Sequence, residues 1–214
     1  LWGVVRFALL TNELLFVYSA IVLQSIWWIV SIAFFAKQVL KSENRRNYLF
    51  IPLLTVLMSL NIGFLLLEVV GRTDIALHLA RTAILVFCVL MGILGGRVIP
   101  FFTIAGARLE PIAQPFWITP LLSIVSIAGT LVFLVGGFVE LPLSPAILMI
   151  FSGLIHLFRL SFWRSKATFN IPLLWSLHLS YFALGAGLIL MGISYFSELI
   201  GFSSALHVIT ISAM

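Results

Sequence analysis

Charged residues are scarce in this sequence, at 9% of its 214 positions. A soluble domain carries about 25% of them, because a surface that faces water needs charged side chains to cover it. Hydrophobic residues make up 62% of the chain, and its mean hydropathy is +1.21. The composition excludes an ordinary soluble protein and predicts a multi-pass membrane protein whose main partner is the lipid bilayer.

Cysteine is nearly absent too, since Cys88 is the only one, and a single thiol cannot form an intrachain disulfide. The seven acidic residues are outnumbered by twelve lysines and arginines, which gives a net charge of +5. These basic residues lie in short connections between apolar runs and form no patch with interleaved aromatic residues. Nucleic acid is therefore not expected as a partner.

Several catalytic patterns are also missing. The sequence contains no Ser-His-Asp arrangement, no paired carboxylates, no Cys-x-x-Cys pair and no glycine-rich phosphate loop after a strand. Hydrolytic and nucleotide chemistry depend on such patterns, so neither is supported. Whether the protein is an enzyme stays open, with a redox role as the remaining option.

Seven apolar runs predict an all-α bundle of membrane-spanning helices. The runs cover residues 14–36, 48–70, 75–98, 116–139, 145–163, 172–195 and 202 onward. We expect the third helix to end at GGRVIP (95–100), because glycines and a proline weaken a helix. The last run would rise only about 20 Å, short of the ~30 Å hydrocarbon core. We therefore expect a single helical domain over residues 1–214 that is a piece of a longer protein.

The charges alternate along the chain as the positive-inside rule requires. The connections after the first, third and fifth runs are basic, whereas the other three carry Arg72 with Asp74, then Glu140, then Glu198. This alternation predicts that the odd-to-even connections are cytoplasmic and that the N-terminus of the segment lies outside.

All four histidines lie within predicted helices, where an ionisable side chain costs free energy and needs a reason. We expect His156 and His178 at similar depth near the cytoplasmic side, and His78 and His207 near the outer side. Imidazole is the commonest metal ligand, and histidines from two helices can bind haem within a bundle. The alternative is that each histidine only hydrogen-bonds a neighbouring helix.

Arg97, within GGRVIP, allows two interpretations. Its aliphatic stem can lie in lipid while the guanidinium reaches the head groups. The guanidinium can instead bind a phosphate or a cofactor carboxylate through a charged bidentate hydrogen bond. Unwound backbone at that depth is tolerated mainly where protein or a cavity covers it, which favours the second interpretation somewhat.

Four blocks together resemble the NnrS family in their order and spacing. They are GGRVIPFFT (95–103), GLIHLFRLSFW (153–163), PLLWSLHLSYFALG (172–185) and SALHVITISAM (204–214). The chain departs from the family at Ser212, where glycine is usual, and it lacks the earlier block of the W-H-x-H-E-M type. The resemblance implies the central and later helices of a bacterial inner-membrane protein of about twelve helices, whose N-terminal helices are missing here.

The same resemblance implies two cofactors, haem (expected to be of the b type) and copper. It also implies a role in the response to nitric oxide and nitrosative stress, as in denitrification. His156, His178 and His207 match the histidines of the family blocks and are the candidate metal ligands. Arg97 and Arg159 are the candidate partners of haem propionates. Nitric oxide is the expected ligand, and whether it is turned over, bound or sensed stays open.

Two other functions also stay open. A metal-free transporter or channel would line a substrate or proton path with these histidines and Arg81, and would show no visible chromophore. A purely structural membrane subunit would tolerate shape-matched replacement of His156 or His178.

Overall fold

The computed structural model describes residues 14–213, in which every regular element is a helix and none is a strand. Within these residues seven α-helices follow one another: α1 (Leu14–Lys41), α2 (Phe50–Val69), α3 (Thr73–Ala107), α4 (Ile118–Gly136), α5 (Pro145–Ser161), α6 (Pro172–Ile193) and α7 (Phe202–Ser212). Helices α1, α2, α3, α4 and α6 are long and apolar enough to cross a membrane, whereas α5 and α7 are shorter apolar helices. The prediction of an all-α, multi-pass membrane protein with seven helices is confirmed.

Helix α1 is longer than predicted. The basic stretch after residue 36 was expected to be a loop, but Lys37 and Lys41 lie on the helix. KQVLK contains no strong helix breaker, and lysine, glutamine and leucine are good helix formers. The helix ends where Glu43 takes a left-handed conformation with φ 53°.

Helix α2 ends at GRTD, as the sequence predicts. Gly71 takes a φ of +77°, which costs glycine nothing because it has no Cβ. The backbone amide of Arg72 donates to the carbonyl of Leu67 at 2.8 Å, which closes the last turn of the helix.

The expectation that the third helix ends at GGRVIP is wrong. Helix α3 continues through Pro100 as far as Ala107. It stops at Arg108, which takes a left-handed φ of 52°, while the amide of Leu109 donates to the carbonyl of Ile104 at 3.0 Å. This is the Schellman arrangement that commonly ends helices. Over 35 residues α3 rises about 52 Å, more than the ~30 Å hydrocarbon core needs.

The chain divides into two compact units, residues 1–86 and 87–214. In the first unit, α1 packs against α2 and the two helices share a polar contact. The side-chain amide of Gln24 and the indole N–H of Trp28 both donate to Oδ1 of Asn61, at 3.3 and 3.1 Å. Interhelical hydrogen bonds of this kind help to join helices in lipid, where hydrophobic attraction between helices is weak.

In the second unit, the backbones of α5 and α6 approach each other closely. A Cβ on Gly153 would lie 2.5 Å from the carbonyl oxygen of Gly185, and one on Gly192 would lie 2.6 Å from that of Ala146. Small residues allow helix backbones to approach this closely in membranes. The contact places the C-terminal half of α5 beside α6, and the candidate site lies there.

Candidate functional site at the glycines of helix α3

Three glycines of α3 receive three large side chains from α5 and α6. A Cβ on Gly92 would lie 2.7 Å from Nε2 of His156, and one on Gly95 would lie 2.9 Å from the ring of Tyr181. A Cβ on Gly96 would lie 2.0 Å from Cζ of Arg159. Real Cβ atoms do not approach other atoms so closely, so a side chain at any of these positions would displace the group that faces it. We call Gly92, Gly95 and Gly96 the glycine face.

Arg159 is buried, with 3% of its surface exposed, and its guanidinium crosses from α5 to α3. Nη1 donates to the carbonyl of Gly92 at 3.2 Å, and Nη2 donates to that of Gly96 at 3.1 Å. Nη2 also donates to Oγ1 of Thr119 at 3.0 Å, and Nε donates to Oε1 of Gln114 at 3.3 Å. Four of the five N–H donors of the guanidinium are thus used, all on neutral oxygens.

The bond to Gly96 explains how α3 continues through its proline. Pro100 has no backbone N–H, so the carbonyl four residues earlier, that of Gly96, loses its helical donor. The Nη2 atom of Arg159 donates to this carbonyl in place of the missing N–H. Because glycine leaves room for the guanidinium, the same residue that weakens the helix in isolation permits the contact that completes it.

His156 is 1% exposed and lies one turn before Arg159 on α5. Its Nδ1 lies 2.9 Å from the carbonyl oxygen of Ser152, and since a carbonyl only accepts, Nδ1 carries the proton and donates. Nε2 is therefore the lone-pair nitrogen of the neutral ring. That atom is buried and has no hydrogen-bond partner among the described residues.

His178 is also buried, but both of its ring nitrogens are used. The hydroxyl of Thr103 donates to the carbonyl of Ile99 at 2.8 Å, so it accepts from Nε2–H of His178, also at 2.8 Å. Nδ1 then accepts from the hydroxyl of Ser165 at 2.8 Å. The two histidines consequently carry their protons on opposite nitrogens, and only His156 has an unengaged lone pair.

Two aromatic rings link the histidines. Tyr181 lies against His156, with ring centroids 5.2 Å apart, and against Trp163 at 4.4 Å. Trp163 is fully buried and meets His178 edge-on at 6.0 Å. Cζ of Arg159 lies 5.8 Å from the Trp163 ring. We call Arg159, Trp163 and Tyr181 the polar triad.

A partly open apolar groove lies beside the polar triad. Its volume is about 220 Å³, and Tyr181 forms part of its wall together with Gly95, Val98 and Leu184. Pockets for drug-sized ligands span about 300–1,000 Å³. The groove is therefore smaller than a typical ligand pocket, and its lining is apolar.

The remaining predicted site residues lie away from this cluster. Arg97 is exposed on α3, and His207 is exposed on α7. In residues 14–213 no three His, Cys, Asp or Glu side chains lie close enough together to share a metal ion. His156, His178 and His207 therefore do not meet at one point within this part of the chain, and their roles as ligands stay predictions.

Sequence reasoning missed several residues of the site, namely the glycine face as a receiving surface, Gln114, Thr119, Trp163 and Tyr181. The spacing of Gly92, Gly95 and Gly96 puts all three on one side of a helix. His156 and Arg159 are likewise three residues apart and so share a face. These two spacings could have identified the two helix faces, but nothing in the local sequence indicates that the faces meet.

The family model described as NnrS protein matches residues 1–214. No curated protein matches the chain, and no solved structure matches it.

Proposed function

The chain belongs to the NnrS family, and from this premise we propose that it binds haem and copper in a bacterial inner membrane, where it acts in the response to nitric oxide. Family membership supports a nitric-oxide-associated, multi-pass membrane protein, and the apolar helices agree with it. The identity of the cofactors, of the membrane and of the ligand residues is part of the proposal.

The observation that carries the proposal is the Nε2 atom of His156. Metal-bound histidines usually donate their other ring N–H to a carbonyl or carboxylate, which fixes the tautomer and orients the ring. In His156 the Ser152 carbonyl occupies that position, and Nε2 has no other partner in the described chain. The donor chemistry therefore fits haem iron or copper at Nε2.

The proposal also requires room for a metal beside Nε2 of His156. Nε2 of His156 faces Gly92 so closely that no Cβ fits between them. A bound metal at Nε2 consequently requires α3 and α5 to separate slightly at Gly92, and a macrocycle requires more separation than a single copper ion. A side chain at position 92 would act mainly by displacing the imidazole of His156, and less by opposing the separation of the two helices.

The other histidines rank below His156 as ligands. His178 could bind a metal through Nδ1 only after Ser165 gives up its hydrogen bond. His207 presents its ring at the surface of α7, where it could meet a cofactor held by other helices of the protein. We propose His156 as the primary ligand, with His178 and His207 as secondary candidates.

The two arginines differ in what they can give a haem propionate. Arg97 is exposed on α3, near the predicted cytoplasmic side, and we propose it as the propionate partner. Arg159 has one N–H that none of its four bonds uses, so it can offer a single hydrogen bond without breaking another. Haem iron with an open position would supply the site at which nitric oxide binds.

The test is a reduced-minus-oxidised visible spectrum of the purified full-length protein, with iron and copper quantified on the same sample. His156→Ala should lose the Soret band and the iron, whereas His78→Ala, the matched control outside the family blocks, should keep both. A colourless, metal-free wild-type protein after growth with haem precursor and copper would refute the proposal. The metal-free transporter would then be the function to test.

A further inference from the structure

His156 and Arg159 meet the same residue of α3, because they lie one turn apart on one face of α5. A Cβ on Gly92 would lie 2.7 Å from Nε2 of His156, and Nη1 of Arg159 donates to the carbonyl of Gly92 at 3.2 Å. Access to Nε2 and the hydrogen bond of the guanidinium therefore depend on the same spacing, that between α3 and α5 at Gly92.

The guanidinium of Arg159 is held from two directions. It donates to the carbonyls of Gly92 and Gly96 in α3, and it also donates to Thr119 of α4 and to Gln114 in the connection before α4. A movement that separates α3 from α5 at Gly92 therefore breaks the two bonds to α3. The bonds to Thr119 and Gln114 keep the guanidinium from following α3.

Pro100 adds to the cost of this separation. Because Pro100 has no N–H, the buried carbonyl of Gly96 has no donor within α3, and Nη2 of Arg159 serves it at 3.1 Å. A buried carbonyl that loses its donor is penalised by desolvation. Arg159 consequently stabilises the closed arrangement through two charge-assisted hydrogen bonds, and the bond to Gly96 has no substitute within α3.

We propose that Arg159 is a latch that keeps Nε2 of His156 closed against Gly92. A ligand reaches Nε2 only when α3 moves away from the guanidinium. The identity of that ligand, copper or haem iron, rests on the proposed function, whereas the latch concerns how its entry is controlled. Arg159 acts here through Gly92, as a positioning residue.

The test is the rate at which diethyl pyrocarbonate modifies His156, measured by mass spectrometry on full-length protein from haem-deficient cells after treatment with a copper chelator. This small, uncharged reagent acylates the lone-pair nitrogen of an imidazole. The new N–C bond forms as ethyl carbonate leaves, which decomposes to carbon dioxide and ethanol. His156 should react slowly in the wild-type protein, although Nε2 has no hydrogen-bond partner among the described residues. The exposed His207 of the same sample is the fast reference.

Arg159→Lys keeps the positive charge, but a compact ammonium group lacks the fork of donors that spans the two carbonyls. It should raise the rate at His156, relative to His207, about tenfold or more, because hydrogen bonds from a charged group are lost. His178 is the internal control, since it is also buried and its lone-pair nitrogen is bonded to Ser165. Its rate should stay unchanged, because the latch acts only at Gly92.

Pro100→Ala is the second variant, in case Arg159→Lys does not fold. It leaves Arg159 in place and gives the carbonyl of Gly96 a donor within α3, so the open arrangement costs less. The rate at His156 should rise, by a smaller factor than in Arg159→Lys, without loss of thermal stability. A residue with a merely structural role would not produce this combination.

Three results would overturn the latch. They are a wild-type His156 as reactive as His207, equal rates at His156 in the wild type and in a folded variant, and an equal rise at His178, which would show general loosening of the helices. Failure of the proposed function looks different, because protein grown with haem precursor and copper would then be colourless and metal-free while the rates at His156 still follow the latch.

Discussion

Arg159 of α5 donates a hydrogen bond to the carbonyl of Gly96 in α3, at the position where Pro100 withholds the helical donor. A proline inside a helix removes an i to i−4 hydrogen bond and its ring crowds that carbonyl. Here the guanidinium of a neighbouring helix replaces the lost donor. The continuation of α3 past Pro100 therefore depends on Arg159, 63 positions after Gly96. The same hydrogen bond fixes which face of α3 meets His156 and Tyr181.

We expect the costs of changing Pro100 and Arg159 to be coupled. Arg159→Met should destabilise the wild-type protein more than it destabilises the Pro100→Ala variant. In that variant the alanine at position 100 supplies its own N–H to the carbonyl of Gly96. The coupling should be about 1 kcal/mol, within the range of contacting pairs. A double-mutant cycle on thermal unfolding of the purified protein in detergent measures it, and equal costs in both backgrounds would show that the two residues act independently.

Gly96→Ala should be strongly destabilising. Its Cβ would lie 2.0 Å from Cζ of Arg159, so the guanidinium must leave its four acceptors. Overpacking alone costs about 1–3 kcal/mol, and the lost hydrogen bonds add to that.

Gly136→Ala is the control for this change, because Gly136 also belongs to a helix long enough to span a membrane but its Cβ would meet nothing within 4 Å. Its unfolding temperature should equal that of the wild-type protein. If Gly96→Ala and Gly136→Ala unfold alike, the guanidinium does not occupy the position described.

Thr103→Val should destabilise the protein by about 1–3 kcal/mol, because it leaves the buried Nε2–H of His178 without an acceptor. Thr55→Val is the matched control. Both threonine hydroxyls donate to the carbonyl four residues earlier, but Thr55 is exposed. Thermal unfolding compares them, and an equally small effect at both positions would contradict the assigned tautomer of His178.

Gly92→Ala should lower the iron content of the full-length protein without removing any candidate ligand, because the added methyl group displaces the His156 imidazole. Iron and the Soret band are measured per mole of folded protein, with Gly136→Ala as the control. Full haem loading of Gly92→Ala would mean that the imidazole position at Gly92 is irrelevant to metal binding.

The sequence predicts the number and class of the helices because length and apolarity decide them in lipid. It also names both His156 and Arg159 as candidate site residues, and residues three apart share a helix face. The end of α3 was predicted wrongly for a physical reason. Whether a proline ends a helix depends on whether something else serves the freed carbonyl, and that donor comes from a residue distant in the chain.

The tautomer of His178 depends in the same way on residues outside its own helix, whereas that of His156 does not. His156 could be assigned from Ser152, four residues earlier on α5. His178 depends on Thr103 of α3 and on Ser165 in the connection before α6. No spacing in the sequence reveals that arrangement, so the difference between a free and an engaged imidazole appears only in the structure.

The most direct test of the role of His156 is chemical rescue. His156→Gly removes the imidazole and leaves a space in which free imidazole can bind. The full-length His156→Gly protein should lack the Soret band, and imidazole added during growth should restore it, whereas His178→Gly should keep at least part of the band without imidazole. An unchanged Soret band in His156→Gly would contradict ligation by His156.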